Sequence, residues 1–345
     1  DLTSVLFSIT YGKGFINRYR KHLDGSFEKY YLGKEILVKL AIFSRLDLAF
    51  IPIEMLTVLY GSELKKAFDE IDDFIKYNNY NGIELRNPFL TESILRKTSR
   101  TDIINNIKEI LVNISPQVTE EIHSYWNEIQ ATLMKEKLLR KKLRIPSQEI
   151  KELLFSIQRY YSDNYNYWLQ VGIAEQFELE YDKALNHFRI AESISSNSYM
   201  VKNAIARNFL KQGNSQNDHV SALPYFEEGE KLMIELINQR EEFQVKAFST
   251  HCYLYEKINF LEKFNISPSN KELKDMFRML KVIIDKTPDD AMSKHISNKF
   301  FNYLVSCNKQ NIIKIELFDL SKVKSMFEQY NIDIESLFED FEIDE

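Results

Sequence analysis

The sequence predicts a mainly α-helical protein: an N-terminal unit with one small β hairpin, followed by a superhelix of stacked helical hairpins. Three observations lead to this prediction. Glycine and proline are scarce, at 9 and 7 of 345 residues, which is typical of long helices joined by few tight turns. Apolar residues recur at helical spacing along most of the chain. A pattern of small and large residues also returns further along the chain, which indicates repeated helical hairpins.

Length and composition limit the classes of protein to consider. With 345 residues and 44% hydrophobic residues, we expect two or three domains with substantial cores. The net charge of −6 argues against a dedicated nucleic-acid-binding protein. Two cysteines, and no signal peptide pattern or apolar run of membrane-spanning length, predict a cytoplasmic protein. The first residue is Asp1 and not methionine, so we expect that the chain can be a piece of a longer polypeptide.

Residues 1–97 predict a helical domain that ends in a compact unit. Near its start, Gly12-Lys13-Gly14 lacks the second half of a phosphate-binding loop and is predicted to be a helix break. Apolar spacing over 36–43 predicts one helix, and Pro52 begins a second that Gly61 ends. A third helix over 62–71 precedes a hairpin whose strands flank a polar turn at Asn78–Gly82. Three helices followed by a hairpin is the order of a winged helix.

The run Glu84-Leu85-Arg86-Asn87-Pro88-Phe89-Leu90-Thr91-Glu92 resembles the winged-helix segment of signal-transduction ATPases of the STAND class. In those proteins this unit follows a nucleotide-binding domain and precedes a helical repeat array. The resemblance implies an interdomain module, with any ATPase motifs upstream of Asp1. Carboxylates outnumber lysines on the third helix, which is poor chemistry for contacting phosphates.

Helices alone are predicted from residue 98 onward, in three segments: a helical linker over 98–163, repeats over 164–238 and a C-terminal helical cap over 239–345. The predicted helices span 101–113, 116–143, 147–162, 165–179, 181–195, 198–212, 219–238, 240–264, 269–285, 288–308 and 321–330. The end of the chain from Asn331 is acidic, with apolar residues at helical spacing among the charges. Two interpretations stay open for it: a docked final helix, or a mobile tail that binds a partner.

Residues 164–238 carry the repeated pattern. In the first copy, Trp168, Gly172, Ala184, Phe188 and Ala191 describe two helices that cross closely at small residues. In the second copy, the corresponding residues are Ala206, Ala222, Phe226 and Gly229. Both copies resemble the tetratricopeptide repeat, in which stacked hairpins form a protein-binding superhelix. The alternative is a non-repetitive helical bundle.

The sequence contains no arrangement of residues that is typical of a catalytic site. The six histidines are scattered without metal-ligand spacing, and no nucleophile elbow or dinucleotide fingerprint is present. We therefore predict no catalytic, cofactor-binding or metal-ligating residues and no cofactor. One basic run allows two interpretations, a solvated helix end or a phosphate-contacting patch; it consists of Lys135, Lys137, Arg140, Lys141, Lys142 and Arg144.

Partner binding is predicted on the inner helices of the array. An aromatic cluster at Tyr160, Tyr161, Tyr165, Tyr167 and Trp168 is either core packing or a partly exposed recognition patch. The candidate partner-binding residues, predicted to face solvent, are Tyr167, Gln170, Glu175, Asn203, Arg207 and Asn208.

Two functions from different classes follow from these features. One is the non-catalytic, ligand-sensing region of a STAND-like ATPase, which the resemblance links to anti-phage defence, to recognition of a protein ligand and to homo-oligomers formed through the missing domains. The other is a free-standing scaffold or adaptor that binds a peptide. An enzyme whose site is assembled from unlinked residues is a third, less favoured hypothesis.

Overall fold

A computed structural model describes residues 21, 25, 31–87, 89–115, 124–239, 243–286 and 291–309. This part of the chain is mainly helical, which confirms the predicted class. The chain divides into two compact units, Asp1–Glu180 and Tyr181–Glu345. The division falls inside the segment predicted to hold the repeats.

The first unit combines helices with three short strands. Its elements are α1 (Tyr31–Arg45), β1 (Ile51–Pro52), α2 (Ile53–Tyr60), α3 (Leu64–Ile71), β2 (Ile75–Tyr77), β3 (Gly82–Leu85), α4 (Phe89–Lys97), α5 (Arg100–Asn113), α6 (Ser124–Met134), α7 (Glu136–Lys142), α8 (Ser147–Tyr161) and α9 (Tyr165–Phe177). Short 3-10 turns at Gly61–Glu63 and Asp72–Phe74 precede and follow α3.

Helix α1 lies at the centre of this unit and is buried on nearly all sides from Ile36 to Phe43. It packs against α3, α4, α5 and β3. A helix that is apolar all round is expected where neighbours cover every face. The exception in this run is Lys39, whose side chain is fully buried and satisfied by hydrogen bonds described below.

The predicted hairpin is present, but the sheet has a third strand. Strands β2 and β3 pair antiparallel with Ile75 opposite Leu85, and β1 pairs with the other edge of β3. The expectation of one hairpin alone was therefore wrong: Pro52 pairs opposite Gly82 before the helix begins. Close packing explains the glycine, because a Cβ at Gly82 would lie 2.1 Å from the Phe50 ring.

The predicted helix 116–143 is interrupted in its described part. Helix α6 ends at Met134 and α7 begins at Glu136, because Lys135 between them has an extended backbone with ψ of 103°. Four of the six residues of the basic run, Lys137, Arg140, Lys141 and Lys142, therefore lie on a separate seven-residue helix and not at the end of a long one. The break allows α7 to turn and pack against α8 and α9.

The second unit is built from consecutive antiparallel helices. They are α10 (Tyr181–Ile194), α11 (Tyr199–Ser215), α12 (His219–Gln239), α13 (Phe243–Phe264), α14 (Asn270–Lys286) and α15 (Ala291–Lys309). Their bounds agree with the predicted spans to within three residues. One apolar core runs from α11 to α15, with the Phe226 and Phe260 rings stacked 3.9 Å apart.

Several predictions lie outside the described residues. They concern the N-terminal helix with Gly12-Lys13-Gly14, the helix over 321–330 and the acidic segment from Asn331.

Candidate partner-binding surfaces

The second copy of the repeat forms a very close helix crossing. A Cβ at Gly229 of α12 would lie 2.7 Å from the backbone nitrogen of Leu210 and 2.9 Å from the carbonyl oxygen of Ala206, both on α11. A Cβ at Gly213 would lie 3.1 Å from the carbonyl oxygen of Ala222. Small residues at both ends of the contact let the two backbones approach, and Phe226 fills the space beside them.

The residues of the first copy are all buried as well. Asn164 caps the start of α9, and its side chain accepts hydrogen bonds from the backbone N–H groups of Asn166 and Tyr167. Trp168 donates from its indole nitrogen to the Ser162 carbonyl oxygen at 2.7 Å. In α9 Gly172 is buried, and in α10 the buried face consists of Ala184, Phe188 and Ala191.

Most of the predicted partner-binding residues do not face solvent, and that part of the prediction was wrong. Five are buried, namely Tyr167, Gln170, Glu175, Asn203 and Asn208, and Arg207 is half-buried. In the first unit, the Tyr167 hydroxyl donates to the Leu154 carbonyl oxygen at 3.0 Å. The amide oxygen of Gln170 accepts a hydrogen bond from the Glu136 backbone N–H. These side chains connect helices and are not displayed to a partner.

In the second unit the buried amides also hold helices together. Asn203 donates to the Ser249 hydroxyl at 2.9 Å, which ties α11 to α13. Asn208 donates to the Tyr181 carbonyl oxygen at 2.9 Å, which ties α11 to the start of α10. Each amide therefore stabilises one arrangement of neighbouring helices, because a buried polar group without a partner is costly.

The aromatic cluster is divided between core and surface. Tyr161, Tyr167 and Trp168 are buried, as the core-packing interpretation predicts, and Tyr165 is exposed. Burial raises the pKa of the Tyr161 and Tyr167 hydroxyls well above their ordinary value, with a smaller contribution from the Glu175 charge for Tyr167. These phenols therefore stay protonated and act as hydrogen-bond donors.

A different set of apolar side chains is exposed on the second unit. Ile190 and Ile194 lie four residues apart on α10, outside the face that Ala184 and Phe188 bury, and Met200 lies near the start of α11. Helical spacing could have located this pair, because both isoleucines fall off the buried stripe of α10. Exposed apolar side chains at this spacing are suited to protein contact.

An ion-pair network lies between α12, α13 and α14. The Lys257 ammonium donates to Glu230 at 2.9 Å and to Glu272 at 3.3 Å, and the Tyr253 hydroxyl donates to Glu230 at 2.5 Å. Burial opposes ionisation of Glu272, but hydrogen bonds from Ser269 and the charge of Lys257 outweigh it and lower its pKa. Both carboxylates are bound by side chains of α13, so the network ties α12, α13 and α14 together.

The basic run is partly neutralised in the first unit. Arg140 pairs with the buried Glu136 at 2.6 Å, and Lys142 pairs with Asp47. The guanidinium of Arg140 also lies 4.0 Å from the centre of the Phe177 ring. Lys137, Lys141 and Arg144 are exposed and make no ion pair with any described residue.

The described residues contain no group of three or more histidine, cysteine or carboxylate side chains that could hold a metal ion. A cavity of about 190 Å³ lies in the first unit beside Phe43, Asp47 and Glu84. It is smaller than the roughly 300 Å³ at which small-molecule sites usually begin. Within the same part of the chain, no helix is both long and apolar enough to cross a bilayer.

In comparisons with known proteins, no family model matches the chain, and no curated protein and no solved structure is detectably similar to it.

Proposed function

We propose that this chain is a non-catalytic recognition and regulatory region, and that the helical hairpins of its second unit bind a protein ligand. The close α11–α12 crossing carries this proposal. Two backbones brought together by Gly213, Ala222 and Gly229 make a closely packed hairpin, part of whose surface is exposed. Stacked hairpins of this kind form extended binding surfaces whose shape follows from the repeat geometry.

The resemblance to STAND-type ATPases supplies the biological setting of the proposal. The order α1–β1–α2–α3–β2–β3 in the first unit, with two strands after the third helix, supports a winged-helix-like module. In this proposal the hairpins sense a protein of an invading phage, and the winged-helix-like module relays binding to a nucleotide switch in another part of the polypeptide.

Affinity capture tests ligand recognition directly. The full chain is used as bait in host lysates prepared with and without phage infection, beside the variant Ile190→Ser/Ile194→Ser. We expect one stoichiometric partner that is captured only after infection and is lost with the variant, because the substitutions remove exposed apolar contact area from α10. The control variant Glu227→Ser/Glu228→Ser changes two exposed residues of α12 and should retain the partner.

A constant host partner would favour the alternative function, a free-standing scaffold. A rise in melting temperature with ATP or a divalent metal would favour an enzyme instead, because a ligand that binds the folded state stabilises it.

A further inference from the structure

A group of exposed cations and apolar side chains lies on the first unit, and the inference drawn from it does not depend on the proposed function of the second unit. We call it the basic–apolar surface, and it consists of Lys137, Arg140, Lys141, Arg144, Phe177 and Leu179. Its framework is α7, which buries Glu136 and Leu139 against the unit. At 100° per residue, Lys137 and Lys141 then lie on the outward side of this helix.

The cations of this surface differ in whether they have a partner within the first unit. Arg140 is held by Glu136 and by the Phe177 ring. Lys137, Lys141 and Arg144 are exposed and have no ion-pair partner among the described residues. The chain as a whole carries a net charge of −6, so a local excess of cations is contrary to its average. Such an excess attracts a negatively charged group over about one Debye length.

The apolar part of this surface consists of Phe177, whose ring lies against Arg140, and of Leu179, two residues further along the chain. Phe177 is 41% exposed although Arg140 stacks on it, and Leu179 is 67% exposed. Leu179 has a φ of 61°, a left-handed conformation that glycine would adopt without the Cβ penalty. Arg144 shares this conformation, with a φ of 58°. The exposed side chains of Arg144 and Leu179 therefore stand at positions where the backbone conformation favours glycine.

We propose that the basic–apolar surface binds an acidic peptide segment of a partner protein, one that carries a bulky apolar side chain between its carboxylates. Charge complementarity identifies the acidic component, since the three cations form no ion pair with a carboxylate in the described part of the chain. Phe177 and Leu179 identify the apolar component. A nucleic-acid backbone would use the cations but would gain nothing from an exposed leucine, and its many phosphates would be repelled by the rest of the chain.

Selection from displayed peptides tests the proposal with the full chain. A random peptide library is selected on the wild-type chain and counter-selected on Lys137→Glu/Lys141→Glu, and the enriched peptide is measured by fluorescence anisotropy. We expect aspartate and glutamate around one aromatic or aliphatic residue. The counter-selected variant should raise the Kd at least about tenfold, which is about 1.4 kcal/mol. Leu179→Gly should weaken binding without unfolding the first unit.

The matched control is Lys65→Glu/Lys66→Glu, which makes the same change in net charge at two exposed lysines of α3. It should leave the Kd within about twofold of the wild type, because those lysines lie outside the basic–apolar surface. Three results would overturn the proposal: no enrichment over the counter-selected variant, equal weakening by the control, or displacement of the peptide by a single-stranded oligothymidylate at equal affinity. The circular dichroism spectrum of every variant is compared with that of the wild type, so that a loss of binding is not mistaken for a loss of fold.

Discussion

The two units are held together by different devices. The first is organised around charged side chains that are buried among apolar helices, as at Lys39. The second depends on close helix crossings at small residues, as at Gly229, supported by amide hydrogen bonds and by the ion pairs of Lys257. The difference teaches that a close crossing at small residues can be located from its spacing, whereas the partners of a buried charge depend on contacts between distant parts of the chain.

In the first unit, a cluster that we call the Lys39 hub consists of Lys39, Tyr60, Asn106 and Glu109. Its fully buried ammonium donates to the Tyr60 hydroxyl, to Asn106 and to Glu109, each at 2.8 Å, which satisfies all three of its donors. Burial, and then the charge of Glu109, raise the pKa of the Tyr60 hydroxyl well above its ordinary value. The hub therefore fixes α1 against α2 and α5.

The largest effect should come from widening the α11–α12 crossing. Gly229→Val places a side chain 2.7 Å from the Leu210 backbone nitrogen, which cannot move aside as a side chain could. We expect a loss of about 2–3 kcal/mol or more in the free energy of unfolding of the second unit. Hydrogen exchange read by mass spectrometry should show faster exchange in α11 and α12 and no change in the first unit. Glu228→Val, one residue away and exposed, is the control; equal exchange in both variants would contradict the close crossing.

A smaller effect is expected from removing the charge at the Lys39 hub. Lys39→Met keeps the length of the side chain but leaves three groups without their shared donor. Glu109 is 40% exposed, so water compensates in part, and we expect a loss of about 1–2 kcal/mol in the first unit alone. Urea denaturation followed by hydrogen exchange of α1 peptides measures it. A gain in stability would show that the apolar replacement packs better than the ionic hub, and Lys65→Met should be neutral.

Removing the charge of Glu272 in the second unit should have a smaller effect on stability, and one that depends on pH. Its folded pKa is lowered below the ordinary 4.5, so its contribution to stability is present above that value and is lost as the pH falls through the lowered pKa. Because its side chain is 46% exposed, Glu272→Gln should cost only about 0.5–1 kcal/mol at neutral pH. Thermal unfolding at neutral and at acidic pH measures the difference, which should shrink on acidification. A difference that grows in acid would contradict the ion pair with Lys257.

The smallest effect is expected at the turn between β2 and β3. The side-chain oxygen of Asn78 accepts hydrogen bonds from the backbone N–H groups of Tyr80 and Gly82. Asn78→Ala should cost about 0.5 kcal/mol, confined to this turn. Amide exchange at the hairpin measures it, with Asn79→Ala as the neighbouring control. Faster exchange throughout α1 as well would mean that the turn supports the whole unit.

The sequence predicted the helices well because their apolar spacing is local. The start of α9 follows from its Asn164 cap, and the crossing of α11 and α12 follows from the small residues Ala206, Ala222 and Gly229. The exposure of Asn203 and Asn208 was predicted wrongly for a physical reason. An amide at the edge of a helix faces solvent or a neighbouring helix, and spacing alone does not distinguish them. The Ser249 partner of Asn203 lies 46 residues away along the chain.

Other features were missed because their partners are remote. Lys39 stands within an apolar run, which signals a buried cation, but Asn106 and Glu109 can be identified as its partners only in the folded structure. Strand β1 was overlooked because Pro52 is equally suited to the first turn of a helix. The exposed pair Ile190 and Ile194 follows from the spacing of α10, because both residues fall outside the stripe that Ala184, Phe188 and Ala191 bury.

The most direct test of ligand binding by the second unit is to map where the ligand binds on the chain. Hydrogen exchange of the full chain is measured with and without the protein captured after infection, and protection is compared between the two units. If the second unit binds the ligand, exchange should be slower in α10 to α13. Protection confined to the first unit, with the second unchanged, would contradict it.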